Sequence, residues 1–374
     1  MPHNGNRLPK IAKLGNKCHD WVNRENAIGD DMDPRTNAGG SAVQGRPTIK
    51  DVAALTGVAA STVSRALSQP GRVHAATKER VEAAAKQLGY IPTNRQLTRR
   101  DERPKAVALL LPDIGNGFFI EIARGVQHEL RTAGYALLLV DTQEDLGLEA
   151  SYLEELRSSV AGFILTATRL GDEVLSKAAA VSPLVTINRT TPGVPTVIID
   201  TPSGVQQAVE HLYSLGHRDI AYIAGPLNSW SNQRRWSALQ ESAKTLAVSV
   251  RMLGPYHPSK SSGAAAADAM LNSGATACIT FNDYIAIGML VRLKERGVDV
   301  PGDVSIVGCD DTFGADFCSP PLTTLTSHAE QAGRAATDML LSSVNPRYAR
   351  IRTRIDLATH LTIRASTGPA PTPV

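Results

Sequence analysis

The sequence predicts an α/β protein, with a small all-α unit near the N terminus ahead of a core of two doubly wound parallel-sheet subdomains. Three observations predict it. Short amphipathic segments with a 3.6-residue apolar period crowd into residues 48–90. From Lys105 onward, near-continuous apolar runs alternate with amphipathic stretches, the pattern of parallel strands covered on both faces. Roughly 260 residues of this alternation exceed one comfortable sheet, so two halves with a cleft between them are expected.

Taken in order, residues 1–46 are rich in Asn, Gly, Asp and Pro without sustained periodicity and read as a disordered leader, with Met32 as an alternative start. "TIKDVAALTG" (Thr48–Gly57) places Ile49, Val52 and Ala53 on one helical face, with Thr48 as N-cap and Gly57 as stop. "STVSRALS" (Ser61–Ser68) repeats the spacing with Val63, Ala66 and Leu67. "TKERVEAAAKQLGY" (Thr77–Tyr90) reads as a helix capped by Thr77, with Val81, Ala84, Ala85 and Leu88 inward. The short turn Gly57–Ala59 between the first two segments is helix-turn-helix geometry. Residues 91–104 lack a broad apolar face and form a linker that is basic around Arg95, Arg99 and Arg100.

In the core, Ala106–Leu111 is a buried strand and Phe118–Gly134 a helix with Phe119, Ile122, Ala123, Val126 and Leu130 inward. Further strands are expected at Tyr135–Val140, Gly162–Thr166, Pro183–Ile187, Thr196–Asp200, Asp219–Gly225, Ala277–Phe281 and Asp303–Gly308. "STGPAPTPV" at the end reads as a frayed tail.

Charge is distributed unevenly. Residues 47–105 hold 11 Lys/Arg against 5 Asp/Glu, whereas residues 106–374 hold 21 against 26. A basic head on a mildly acidic body suits binding to a polyanion, the alternative being an ordinary solvated surface. No run of about 18 apolar residues is present to span a membrane, and no apolar stretch follows Arg7, Lys10, Lys13 and Lys17 as in a secretory signal. Cys18, Cys278, Cys309 and Cys318 have spacings of neither a disulfide framework nor a zinc site, which fits a reduced, cytoplasmic setting.

"PTIKDVAALTGVAASTVSRAL" with "VEAAAKQLGYIP" resembles the DNA-binding headpiece of the LacI family, the lactose and galactose repressors. "PDIGNGFF", "VEHLYSLGHRDIAYIAGP", "FNDYIAIGML", "VSIVGCDD", "PPLTTL" and "RAST" agree in order, so the resemblance runs from about Pro47 to Thr367. It implies a homodimeric transcription regulator, expected to be a repressor, on pseudo-palindromic operator DNA. A periplasmic-binding-protein-like core would bind a small-molecule effector, expected to be a sugar or sugar derivative, with no cofactor or metal. The boundaries it implies are a headpiece at 47–91, a hinge at 92–104 and a core at 105–368, followed by a tail at 369–374. Within the core, the N-subdomain is about 105–199 plus 327–355, and the C-subdomain about 200–326 plus 356–368.

On this reading the second helix presents Ala60, Ser61, Thr62, Ser64 and Arg65 to the major groove, Arg65 being placed for bidentate contact with guanine. Thr48, Thr62, Ser64, Arg72, Thr77 and Tyr90 are assigned to phosphates, and Asn94, Arg95 and Arg99 to the hinge contacts. Two departures from the family stand out. Ala59 replaces a capping serine, so Ser61 is the competing helix start. Family hinges commonly carry a leucine wedge, whereas the count from Pro92 puts Arg99 there, with Leu97 in a shifted register.

Ligands of open α/β sheets lie beyond the carboxyl ends of strands. There this chain has Asp113, Asn116, Phe118, Phe119, Asn188, Arg189, Asn282, Asp283 and Asp310, planar polar groups and aromatic faces suited to a polyol. The resemblance assigns ligand contact to Phe118, Asn188, Ser231, Arg235, Asn282 and Asp310, with Arg234 the competing choice by one place. Asn116 and Phe119 complete the expected effector set. Asp283 is expected to cap the next helix, and His257 stands near a family aromatic position. Dinucleotide, phosphate-loop, zinc-protease and nucleophile-elbow motifs are missing, so catalysis is not expected. The competing function is a transport-type sugar-binding protein, which would carry a signal peptide and no headpiece.

Overall fold

A computed structural model of the chain describes residues 47–68, 73–90, 104–344 and 353–372. Arg72, Asn94, Arg95, Arg99, the leader 1–46 and hinge residues 92–103 therefore lie outside the described residues. The chain divides into two units, within residues 1–100 and 101–374.

In the first unit, α1 (Ile49–Thr56), α2 (Ala60–Ser68) and α3 (Ala75–Leu88) pack on a core of Val52, Val63, Ala66, Val81, Ala84 and Ala85. The three valines are fully buried, a stabilisation of about 1.5–3 kcal/mol each. Small side chains let the helices approach closely, and Ile49, Ala53, Leu67, Leu88 and Tyr90 close the edges. At the head of α1, the Thr48 N–H donates to the Asp51 carboxylate at 2.7 Å, half of a capping box. Gly57 ends the helix at φ 67°, the left-handed region, and three residues later α2 begins. Two expectations are corrected. Helix α2 starts at Ala60, with the Ala59 carbonyl accepting from Thr62 and Val63 N–H, so Ser61 lies in the first turn rather than at the cap. Helix α3 starts two residues before Thr77, because the His74 carbonyl accepts from Thr77 and Lys78 N–H.

The second unit has two lobes, each with a six-stranded sheet. The N-lobe contains β1 (Ala106–Leu111), α4 (Gly117–Ala133), β2 (Ala136–Asp141), α5 (Leu146–Glu155), β3 (Phe163–Thr166), α6 (Asp172–Val181), β4 (Leu184–Ile187) and β5 (Thr196–Asp200). The C-lobe follows with α7 (Thr201–Ser214), β6 (Asp219–Ile223), α8 (Trp230–Leu246), β7 (Ser249–Leu253), α9 (Gly263–Ser273), β8 (Ala277–Thr280), α10 (Asp283–Glu295), β9 (Ser305–Asp310) and β10 (Thr323–Thr326). The chain then returns to the N-lobe through α11 (Ala329–Val344) and β11 (Arg354–Ala358), and ends in the C-lobe with β12 (His360–Thr362).

Strand order is β11-β5-β4-β3-β1-β2 in the N-lobe, all parallel, and β12-β10-β9-β8-β6-β7 in the C-lobe, where only β12 runs antiparallel. Strands β1, β3 and β4 in one sheet and β6, β8 and β9 in the other are buried on both faces, apart from a half-exposed residue at some ends. That is why they read as apolar runs. Helices α4 and α11 pack with their backbones close together: a methyl on Gly333 would meet the Ile122 carbonyl oxygen at 2.1 Å, and one on Gly125 the Glu330 carbonyl oxygen at 2.0 Å.

The last crossing between lobes falls at Thr359, so β11 keeps residues 356–358 in the N-lobe instead of the C-lobe. The expected frayed tail is also corrected through Ala370. The Gly368 carbonyl accepts from Ser305 or the buried His217 imidazole at 3.1–3.3 Å, and the Ala370 N–H donates to the Leu215 carbonyl at 2.8 Å. Among the described residues no helix is long and apolar enough to cross a membrane, and no cluster of His, Cys, Asp and Glu could hold a metal.

Candidate functional site

In the first unit, Ser61 and Arg65 lie one helical turn apart on α2, and both are exposed on the side opposite Val63 and Ala66. Ala60, Thr62 and Ser64 beside them are half-buried. Thr48 is exposed, although its hydroxyl donates to Asp51 at 2.7 Å, while Thr77 and Tyr90 are half-buried. Helix α2 thus displays a face of small residues together with the exposed guanidinium of Arg65.

In the second unit, all eight expected effector residues line one cavity between the lobes: Asn116, Phe118, Phe119, Asn188, Ser231, Arg235, Asn282 and Asp310. Asn116, Phe118, Phe119, Asn188 and Asn282 follow the carboxyl ends of strands, Asp310 ends β9, and Ser231 and Arg235 come from the first turns of α8. Asn116 caps α4, its side-chain oxygen accepting from Phe118 N–H at 3.0 Å. Phe118 and Phe119 meet edge to face at 5.2 Å. Asn188 sits at φ 56° after β4, and its side-chain oxygen accepts from Ile199 N–H at 2.9 Å. Asn282 caps α10 by accepting from Ile285 N–H at 3.1 Å, while its amide donates to the Pro258 carbonyl at 3.2 Å. Asn116 and Asn188 thus each have one amide end anchored by backbone, and Asn282 has both.

Arg235, only 4 % exposed, donates to the Thr201 hydroxyl at 3.2 Å, to the Phe281 carbonyl, and to Asp310 at 3.4 Å. Burial pushes the Asp310 carboxyl up to about 6, with the Arg235 charge opposing the rise. Behind it, the fully buried Asp283 accepts from Thr312 N–H at 2.7 Å and from the Thr324 hydroxyl at 2.5 Å, which holds the 310–312 loop. Burial lifts the Asp283 carboxyl to about 8.

Several expectations change here. Arg235, rather than the exposed Arg234, turns into the cavity. The α10 cap is Asn282, and Asp283 is the first helical residue, directed at the 312 loop. Asp113 folds back onto Gly115 N–H at 2.7 Å, and Arg189 pairs with Asp172 at 2.7 Å, so neither lines the cavity.

The sequence reading missed Pro112, Glu144, Ala167, Arg169, Pro226, Ser229, Pro258 and Phe281, which complete the lining. Applying the strand-end rule to β2 and β3 would have found Glu144 and Arg169, each three residues past its strand. Arg169 pairs with Glu144 at 3.1 Å within the N-lobe, and both reach across to the C-lobe. Arg169 donates to the Asn228 side-chain oxygen at 3.4 Å, and Glu144 lies 3.6 Å from the His257 imidazole. Glu144, Ala167, Asn188 and Asp310 all have positive φ, backbone strain of about 1–3 kcal/mol each that gathers at this one place.

The fold and the cavity together define a class: a helix-turn-helix unit in one chain with a two-lobed α/β core that has a polar cavity between its lobes. Comparison with known proteins agrees. Residues 48–93 match the family described as bacterial regulatory proteins, lacI family, and residues 209–367 match the periplasmic binding protein-like domain. The HTH-type transcriptional repressor CytR of Escherichia coli strain K12 is 32% identical over 337 residues, covering 87% of this chain and 97% of the relative. The ribose operon repressor of Bacillus subtilis strain 168 is 34% identical over 302 residues, covering 79% and 91%. The lac repressor dimer bound to operator and the anti-inducer ONPF superposes with a TM-score of 0.67 at 27% identity, covering 87% of this chain and all of that one.

The chain belongs to the LacI family. It is a ligand-regulated, DNA-binding transcriptional repressor, not an enzyme or a transport-type binding protein.

Proposed function

We propose that the effector is a sugar or sugar derivative, and that it binds in the cavity between the lobes. The observation that carries this is the convergence of three anchored amides and two serines with Phe118, Phe119 and Phe281 around one space. Hydroxyls of a ring need groups that donate and accept at once, and its apolar face needs an aromatic wall. The cavity as it stands measures about 60 Å³, a few water molecules, so a sugar is admitted only when the lobes part. Effector occupancy and lobe geometry are therefore coupled, and by whatever factor the effector alters operator affinity, operator DNA alters effector affinity by that same factor.

The operator is proposed to be a pseudo-palindrome read by two α2 helices of a cytoplasmic homodimer, with Arg65 on a guanine and Ser61 at the closest approach. Thr48, Thr62, Ser64, Thr77 and Tyr90 are proposed to border phosphates. Dimerisation is supported by Phe313 and Phe317, which are 85% and 62% exposed and pack edge to face at 5.0 Å, an aromatic patch suited to a partner. A thermal-shift screen of sugars tests the reading. One sugar class should raise the melting temperature of the second unit, and Asn282→Ala should abolish that shift. Stabilisation that survives Asn282→Ala would place the ligand elsewhere.

A further inference from the structure

Among the described residues, the cavity lining carries four ionisable side chains: Glu144, Arg169, Arg235 and Asp310. They form two pairs of opposite charge. Arg169 lies 3.1 Å from Glu144, and Arg235 lies 3.4 Å from Asp310. All four are at least four-fifths buried, with side-chain exposures of 13% and 19% in the first pair and 5% and 8% in the second. Both guanidiniums have further acceptors, Asn228 for Arg169 and Thr201 and the Phe281 carbonyl for Arg235. The other polar side chains around the cavity, Asn116, Asn188, Ser229, Ser231 and Asn282, are uncharged.

We propose that these two internal pairs make the cleft selective for an uncharged polyhydroxylated effector and exclude its phosphate and carboxylate analogues, with Glu144 as the residue that sets this selectivity. The inference rests on the effector reading above and narrows it. Every cation that an anionic ligand could approach is already matched by a carboxylate of the cavity. Binding an anion would bring it against Glu144 or Asp310, or would pull a carboxylate off its guanidinium and leave it unpaired where solvent screens it poorly. A hydroxyl has no such conflict, since it can donate to a carboxylate oxygen and accept from a guanidinium without separating them.

The test uses the full chain and a calorimetric and thermal-shift panel at pH 8. Neutral pentoses, hexoses, disaccharides and nucleosides are each measured beside the corresponding phosphate, and gluconate beside glucose. Binding of a neutral compound at least roughly tenfold tighter than its phosphate is expected. In Glu144→Gln, Arg169 loses the carboxylate it pairs with and keeps only the buried Glu149 as a nearby negative group, and the phosphate of that same compound should gain roughly tenfold over its wild-type affinity. A structural role for Glu144 alone would weaken both forms together and leave their ratio unchanged.

Wild-type protein that binds a phosphate in preference to its neutral parent would overturn the charge inference and leave the effector cleft standing. An unchanged ratio in Glu144→Gln, with circular dichroism showing the fold intact, would overturn the assignment to Glu144. A chain that binds duplex DNA yet responds to no compound in the panel would refute the sugar reading itself, and this inference with it.

Discussion

Replacing Arg235 by methionine removes the guanidinium that pairs with Asp310 inside the second unit. The wild-type side chain makes hydrogen bonds to Thr201, the Phe281 carbonyl and Asp310, and its guanidinium carbon lies 5.1 Å above the Phe281 ring. Methionine refills much of the stem volume but none of the charge, so Asp310 is left buried at 8% exposure without its partner. Breaking a buried pair in this way costs about 3–5 kcal/mol. The refilled stem volume favours the lower end, about 3 kcal/mol. For a unit of this size that is a fall in melting temperature of roughly 2–4 °C per kcal/mol.

The cost depends on pH, with a definite sign. The Asp310 carboxyl is already raised from 3.8 to about 6 by burial, and Arg235 restrains that rise. A raised carboxyl contributes stability at low pH and loses it as pH climbs through the folded value. Without Arg235 the folded value moves higher still, so the gap between variant and wild type widens between pH 5 and pH 8. Calorimetric unfolding of both proteins at the two pH values checks this. A penalty below about 1 kcal/mol at pH 8, or an equal penalty at both, would refute the pairing argument.

Arg65→Ala should relax base choice at one position of each half-site by about 1–3 kcal/mol while effector binding is retained; selection from randomised duplexes reads this directly, and an unchanged preference removes Arg65 from the reading role. Phe313→Ser with Phe317→Ser should shift the chain toward monomer in sedimentation and weaken operator binding, and a dimer unaffected by both changes would place the interface elsewhere. His217 is held below the usual imidazole range, chiefly by burial, so it folds neutral and its contribution is lost as pH falls below 6.5. His217→Gln should therefore lose less stability than wild type between pH 7 and pH 5 in urea titrations, and parallel acid limbs would contradict this.

Legibility followed how far a side chain's environment is set by its own neighbours in sequence. The strands at Ala106–Leu111 and Ser305–Asp310 were readable because both faces are covered, which leaves almost no position for a polar residue. Strand β7, Ser249–Leu253, was missed because it is a half-exposed edge strand and carries an arginine. Strand β10, Thr323–Thr326, was missed as a strand for another reason. Three of its four residues are threonines whose hydroxyls bond to Thr367, Asp283 and Thr362, partners far away in sequence.

The start of α3 was misplaced because Thr77 imitates a cap, whereas the His74 carbonyl opens the helix without a side-chain signal. In the cleft, the residue types at strand ends announced a polar cavity, the family resemblance alone supplied Ser231 and Arg235 on α8, and all eight assigned residues line it. That Arg189 turns away to Asp172, and that Arg169 meets Glu144, depends on backbone direction at left-handed residues such as Asn188 and Ala167, which no local pattern encodes.

The most direct measurement takes the full chain to duplex DNA selected from a random pool and follows affinity by fluorescence anisotropy across a salt series. The account predicts an inverted-repeat consensus and an affinity that falls linearly on logarithmic axes as salt rises, the mark of counterions released from phosphates. A chain that enriches no sequence, or whose duplex affinity ignores salt, would contradict the reading of α2 as a groove-binding helix.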